Sequence, residues 1–150
     1  MNNSLLSSKS NEWETPPHIF DILHAEFCFE LDAAATTENN LCDNFYTKDD
    51  NSLIQDWSKY KVVFCNPPYG RLIGKFIQKG YKESLKGTVC VFLIPARVDT
   101  KWWHEYCIKG EIRFIKGRLK FSQSKVPAPF PSAIVVFDKN IKPNTKYIKI

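Results

Sequence analysis

A mainly parallel α/β fold is predicted for this chain, and three observations predict it. Two apolar runs, Val62-Val63-Phe64-Cys65 and Thr88 to Ile94, have the character of strands buried on both faces. Between them Leu72 to Leu85 carries apolar residues at helical spacing, so strand, helix and strand follow in order. The tetrapeptide Asn66-Pro67-Pro68-Tyr69, with Gly70 after it, leaves the first run as a stiff turn. Two prolines fix φ and remove two backbone donors, which excludes helix and ladder there.

The remaining elements follow along the chain. Thr15-Pro16-Pro17 predicts a helix start with Thr15 as N-cap, and Ile19, Phe20, Ile22, Leu23 and Phe27 carry the helix to about Phe27. Phe29 to Asp32 reads as a short strand ending in an acid, and Ala33-Ala34-Ala35 comes next. Thr36 to Asn44 is turn-rich, and Phe45-Tyr46-Thr47 is a second strand. Asp49 to Ser52 is a loop, and Leu53 to Trp57 leads into the strand Lys61 to Cys65. Ile73, Phe76, Ile77, Tyr81 and Leu85 form the apolar face of the Leu72–Leu85 helix, which Gly87 closes. Pro95-Ala96-Arg97 ends the Thr88–Ile94 strand, and Asp99 is placed to cap a short helix carrying Trp102, Trp103, Tyr106 and Cys107. Two last strands, Glu111 to Ile115 and Ala133 to Phe137, are joined by the long proline-rich segment Lys116 to Pro131 and form a late antiparallel hairpin at one edge.

With 150 residues, 43% hydrophobic and 25% charged, the expectation is one domain spanning 1–150. A polar, flexible lead-in of 1–11 lacks the apolar core of a signal peptide, and no apolar run is long enough for a membrane span. Cys28, Cys42, Cys65, Cys90 and Cys107 are odd in number, scattered and without a CxxC pair. That pattern predicts reduced thiols in a cytoplasmic protein and no metal site. Net charge is +5, but unevenly spread: residues 1–60 hold 3 Lys/Arg against 11 Asp/Glu (−8), and 61–150 hold 18 against 5 (+13). A basic half of this size attracts a polyanion, with nucleic acid the natural candidate.

The chemistry centres on Asn66-Pro67-Pro68-Tyr69. The Asn66 carbonyl oxygen and a proline main-chain carbonyl can accept both hydrogens of a planar amine while Tyr69 stacks on its ring, and the prolines hold the acceptors still. Three marks gather at the carboxyl ends of predicted strands: Asp32, the Asp50/Asp56 region, and Asn66 to Tyr69. Ligands of open α/β sheets bind at that end.

The chain resembles the compact phage-type DNA N6-adenine methyltransferases. The resemblance runs through Trp13-Glu14-Thr15-Pro16, Leu31-Asp32-Ala33-Ala34-Ala35, Asp50-Asn51-Ser52-Leu53 with Asp56-Trp57, Asn66-Pro67-Pro68-Tyr69-Gly70, Leu93 to Arg97 with Asp99-Thr100 and Trp102-Trp103, Gly117 to Phe121, and Pro129 to Ala133. It implies a Rossmann-like methyltransferase fold, S-adenosylmethionine as cofactor and double-stranded DNA as partner, in the cytoplasm of a bacterial host. It further implies Trp13, Thr15 and Pro16 at the methionine end of the cofactor pocket. Asp32, Ala33 and Ala34 stand where the family's glycine-rich cofactor loop lies, although the usual Gly-x-Gly is replaced here by three alanines. Asp50 or Asp56 would contact the ribose or adenine of the cofactor. Asn66, Pro67, Pro68 and Tyr69 would be the catalytic set.

No insertion is large enough for a separate recognition domain, so recognition is expected from Lys116 to Pro131. Arg118, Lys120 and Lys125 would supply charge there, and Phe121 and Phe130 would wedge or stack against bases. Trp102 and Trp103 read as packing residues, and His18, His24 and His104 have no acid or thiol at a suggestive spacing. Two alternatives stand beside this reading. One keeps fold and cofactor but changes the acceptor to an RNA base, a cytosine N4 amine or a protein glutamine; the other is an inactive DNA-binding module.

Overall fold

Residues 13–121 and 125–150 are described by the computed structural model; the expected lead-in, 1–11, and part of the expected recognition loop lie outside them. Helix α1 (Pro17–Phe27) opens with a proline at its first position, where a missing N–H removes no intrahelical bond. Thr15 is not its cap: Pro16 occupies that position, and the Thr15 hydroxyl is engaged elsewhere. After a left-handed residue, Cys28, come the two short strands β1 (Leu31–Asp32) and β2 (Asn44–Phe45). Two single 3-10 turns (Ser52–Ile54 and Trp57–Lys59) then lead into β3 (Val62–Cys65).

Helix α2 (Ile73–Leu85) and strand β4 (Val89–Pro95) lie where the apolar pattern predicts them, separated by Gly87 at φ +109°. The short helix α3 (Lys101–Glu105) is capped one residue later than expected. The Thr100 hydroxyl, not Asp99, accepts from the Trp103 N–H. Strands β5 (Glu111–Ile115), β6 (Ser132–Phe137) and β7 (Asn144–Ile148) complete a sheet of order β2-β1-β3-β4-β6-β5-β7.

All pairings are parallel except those of β6, which runs antiparallel to β4 on one side and β5 on the other. The late hairpin is therefore present but does not close an edge. Its second strand is inserted into the middle of the sheet, and β7 takes the outer position beside β5. This is a Rossmann-like α/β sheet with one reversed strand.

Register shows how the helices cover it. Phe64 aligns with Val91 rather than Phe92, and successive residues of a strand face opposite sides, so Phe64 and Phe92 point to opposite faces. Phe20 of α1 packs edge-on against Phe64, whereas Gly80 of α2 lies against Phe92, so the two helices cover opposite faces. The α2 contact depends on a missing side chain. A Cβ at Gly80 would stand 2.2 Å from Cε2 of Phe92, whose ring is fully buried. Gly80→Ala is expected to destabilise the fold by about 1–3 kcal/mol despite its better helix propensity, read as a lower urea midpoint at unchanged slope.

Candidate active site

Asn66 follows the last residue of β3, so it lies at the carboxyl rim of the parallel strands. Its side chain is anchored: Nδ2 donates to the Trp13 main-chain carbonyl and to the Thr15 hydroxyl, the latter at 3.0 Å. A carbonyl can only accept, so the Trp13 contact identifies which end of the amide is nitrogen. That leaves Asn66 Oδ1 buried and without a hydrogen-bond partner among the described residues. Buried orphan acceptors are uncommon, because each forfeits its hydration without replacement. This one stands directly before Pro67 and Pro68, in a turn that Gly70 completes at φ +109°, a conformation favouring glycine.

Tyr69 is 5% exposed and its hydroxyl donates to the Leu93 carbonyl at 3.4 Å. Burial pushes its phenol well above the usual range, so it stays neutral and cannot serve as a base. Burial, with a lesser contribution from the Asp32 charge, likewise holds the Cys65 thiol far above its ordinary value. Thiolate chemistry next to Asn66 is thereby excluded.

The 116–131 segment runs from the carboxyl end of β5 to the start of β6. Because β6 is reversed, both ends meet the same rim as Asn66, and the Pro131 carbonyl accepts from Ala96 N–H at 2.8 Å. Its aromatic residues correct one expectation. Phe121 and Phe130 do not stand out as wedges; they are 1% and 8% exposed and turn inward. Each ring centroid lies 5.3 Å from that of Trp13, and they meet Tyr69 edge-on at 6.3 and 5.6 Å. The described parts of the segment, 116–121 and 125–131, thus form an aromatic cap over the tetrapeptide, while Lys120 and Lys125 remain exposed and Arg118 braces it by donating to the Ala128 carbonyl at 3.4 Å. A cleft of about 450 Å³ opens beside this cap, with Tyr69, Gly70 and Pro95 in its lining.

Asp32 ends β1 almost wholly buried. Its two oxygens accept from the Ala34 and Leu41 N–H groups at 3.4 and 3.1 Å, so the carboxylate organises the loop that follows β1. Desolvation pushes its pKa from 3.8 to about 6, against those two hydrogen bonds. A raised folded-state pKa means that the native chain holds this proton more tightly than the unfolded one. The stabilisation is then complete below pH 3.8 and disappears as pH rises through 6. Relative to Asp32→Asn, the wild type is expected to lose about 2 kcal/mol of stability between pH 4 and pH 7, measured by urea unfolding at each pH. A difference independent of pH would remove that titration.

Asp50 and Asp56 are both exposed and locally bonded. Asp50 Oδ2 accepts from the Thr47 N–H at 2.7 Å and its hydroxyl at 3.0 Å; Asp56 caps the Trp57–Lys59 turn and stands 3.9 Å from Lys86. Asp50 follows β2 and lies on the carboxyl side, whereas Asp56 is on the return path towards the start of β3. Arg97 and Thr100, which stand in the stretches of resemblance without an expected site role, line the cleft, and so does Trp102, which the sequence reads as a packing residue.

Comparison with known proteins gives relatives and a family. A DNA N-6-adenine-methyltransferase of Escherichia phage T1 is 35% identical over 94 residues, which cover 62% of this chain and 39% of that protein. The DNA N-6-adenine-methyltransferase of Haemophilus phage HP1 is 28% identical over 91% of this chain and 76% of its own. Among solved structures, a Vibrio vulnificus YJ016 protein described as a modification subunit of a type I restriction enzyme superposes with a TM-score of 0.54 at 13% identity, over 99% of this chain and 50% of that one. At that identity the likeness concerns the fold. This chain spans about two fifths of the T1 relative and three quarters of the HP1 one. Residues 2–149 match the profile of the DNA N-6-adenine-methyltransferase (Dam) family, and the chain belongs to that family.

Proposed function

We propose that this chain transfers a methyl group to the N6 amine of adenine in double-stranded DNA. The observation that supports this most directly is the buried, unpartnered Oδ1 of Asn66. An exocyclic N–H placed there would satisfy it, and the Pro67 main-chain carbonyl is the second acceptor. The amine lone pair is delocalised into the purine ring and is a poor nucleophile. Holding both N–H groups on fixed acceptors turns the lone pair out of conjugation and aims it. Anchoring by Trp13 and Thr15 keeps Oδ1 still, which is the positional accuracy that such catalysis requires. No general base is needed, because the proton can leave to solvent after transfer.

The methyl donor is S-adenosylmethionine, which supplies an electrophilic sulfonium methyl when bound. Residues at the rim fit it. Ala34 and Ala35 are half-buried with small side chains, in a loop whose shape Asp32 maintains, while Ala33 is fully buried behind them. Trp13, Thr15 and Pro16 stand beside Asn66 and would hold the methionine end, with Asp50 the carboxylate towards the nucleoside. Asp56 serves as the turn cap. Because N6 is paired within a duplex, the base must be extruded, at a cost of a few kcal/mol. The +13 charge of residues 61–150 would hold the phosphates.

The test is transfer from labelled S-adenosylmethionine to mixed-sequence duplex DNA, with mass spectrometry of the digested nucleosides. N6-methyladenine is the expected product. N4-methylcytosine, or label in RNA or protein acceptors alone, would overturn the acceptor assignment; tight DNA binding with no product would select the inactive module.

A further inference from the structure

The paired tryptophans of α3 have different environments. Trp103 is 3% exposed and stacks on Phe114 with centroids 5.9 Å apart and planes at 22°, so it is a packing residue. Trp102 is only half-buried, and it lines the 450 Å³ cleft together with Trp13, Tyr69, Arg97 and Phe130. That volume lies in the ~300–1,000 Å³ range of small-molecule sites. Aromatic walls beside an exposed guanidinium suit a nucleotide, with its π-face and its phosphate. The Arg97 guanidinium sits 6.0 Å from the Phe130 ring centroid and is exposed.

Trp102 has a built-in seat. A Cβ on Gly74, in the first turn of α2, would lie 3.2 Å from Trp102 Cδ1 and 3.4 and 3.5 Å from its Cβ and Cγ. The indole therefore leans on bare helix backbone, just beyond the turn carrying Asn66 and Tyr69. Any side chain at position 74 would push it. We propose that Trp102 is a wall of the acceptor-base pocket and that Gly74 is the positioning residue that seats it. The proposal rests on the methyl-transfer reading above and adds to it the cleft that admits the base and the ring that holds it there.

The experiment has two arms. In the first, Trp102→Ala, Trp102→Phe and Gly74→Ala are assayed for transfer to duplex DNA, with donor affinity and melting temperature measured in parallel. Base–aromatic stacking predicts that Trp102→Ala raises the KM for DNA or lowers kcat/KM about 10- to 100-fold at unchanged donor affinity. Trp102→Phe should recover most of that loss. Gly74→Ala should raise the KM for DNA several-fold without lowering the melting temperature, since alanine favours the helix. Variants with wild-type KM and kcat/KM for DNA would overturn the proposal and leave the methyl-transfer reading standing.

In the second arm, a short single-stranded oligonucleotide with one 2-aminopurine in place of adenine is titrated with each protein, with no methyl donor. Quenching by the wild type that is lost in Trp102→Ala is expected, and it would uphold the pocket even if no methyl transfer occurred. Equal quenching by both proteins, or by neither, would overturn the proposal.

Discussion

Replacing Asn66 by alanine is expected to lower methyl transfer about 10²- to 10³-fold, the scale on which loss of a fixed polar group at a reaction centre acts. Two effects combine. The acceptor for the amine disappears, and the Trp13 carbonyl and Thr15 hydroxyl lose the donor that ties the segment before α1 to the end of β3. The second effect is a stability term of about 1–3 kcal/mol, and denaturation of the variant measures it. Thr15→Ala separates the two. It removes one anchor and leaves Oδ1 in place, so it should lower the rate far less than Asn66→Ala. Activity of Asn66→Ala within tenfold of wild type would sink the mechanism.

The second large effect concerns charge. Lys120→Ala with Lys125→Ala is expected to weaken binding to duplex DNA and to flatten the dependence of log K on log salt by about 0.9 for each phosphate contact removed. Both side chains are exposed on the cap. Arg118 is a different case, because its Nη1 also donates to the Ala128 carbonyl across the loop. Adding Arg118→Ala should therefore flatten the slope further and also lower the melting temperature, whereas the double lysine variant should leave melting unchanged. Filter-binding titrations between 50 and 200 mM salt measure the slope. A slope identical to wild type in the double variant would take the loop out of the interface.

Much of this architecture was legible in the sequence because its signals are strong and local. The apolar runs of β3 and β4 match strands buried on both faces, and Pro67-Pro68 permits only a turn. Strand β7 was not legible. Asn-Thr-Lys-Tyr-Ile is mostly exposed, with Tyr147 at 82%, so it has no buried face to create a period. Its place comes from backbone pairing with β5, backed by Tyr147 stacked on Phe114 and Lys146 paired with Glu111 at 2.8 Å, and Lys146 is the kind of residue that edge strands carry.

The inward turn of Phe121 and Phe130 had a signal that a polar, proline-rich loop conceals. Leu119 with Phe121, and Ala128 with Phe130, are apolar pairs two residues apart on the two limbs. The Ala128 N–H to Leu119 carbonyl bond, 2.8 Å, joins those limbs and puts the rings on one side. Asp32 was legible as a residue of the rim but not in what it does there. A carboxylate with two backbone partners is indistinguishable in sequence from one left open for a ligand. The orphaned Oδ1 of Asn66 had no sequence signal either, because it depends on a contact with Trp13 from far along the chain.

The reversed strand in the middle of the sheet has a consequence for how the protein must be made. During synthesis β4 emerges with one edge already matched to β3, while its other edge waits for Ser132–Phe137. The whole stretch from Ala96 to Pro131 has to be translated first, which takes seconds at ~5–20 residues per second. Throughout that interval a long apolar edge stands open at the centre of the nascent molecule, and such edges template association between neighbouring chains. A chain truncated within the cap is therefore expected to aggregate more readily than the full one, because it keeps that edge of β4 open.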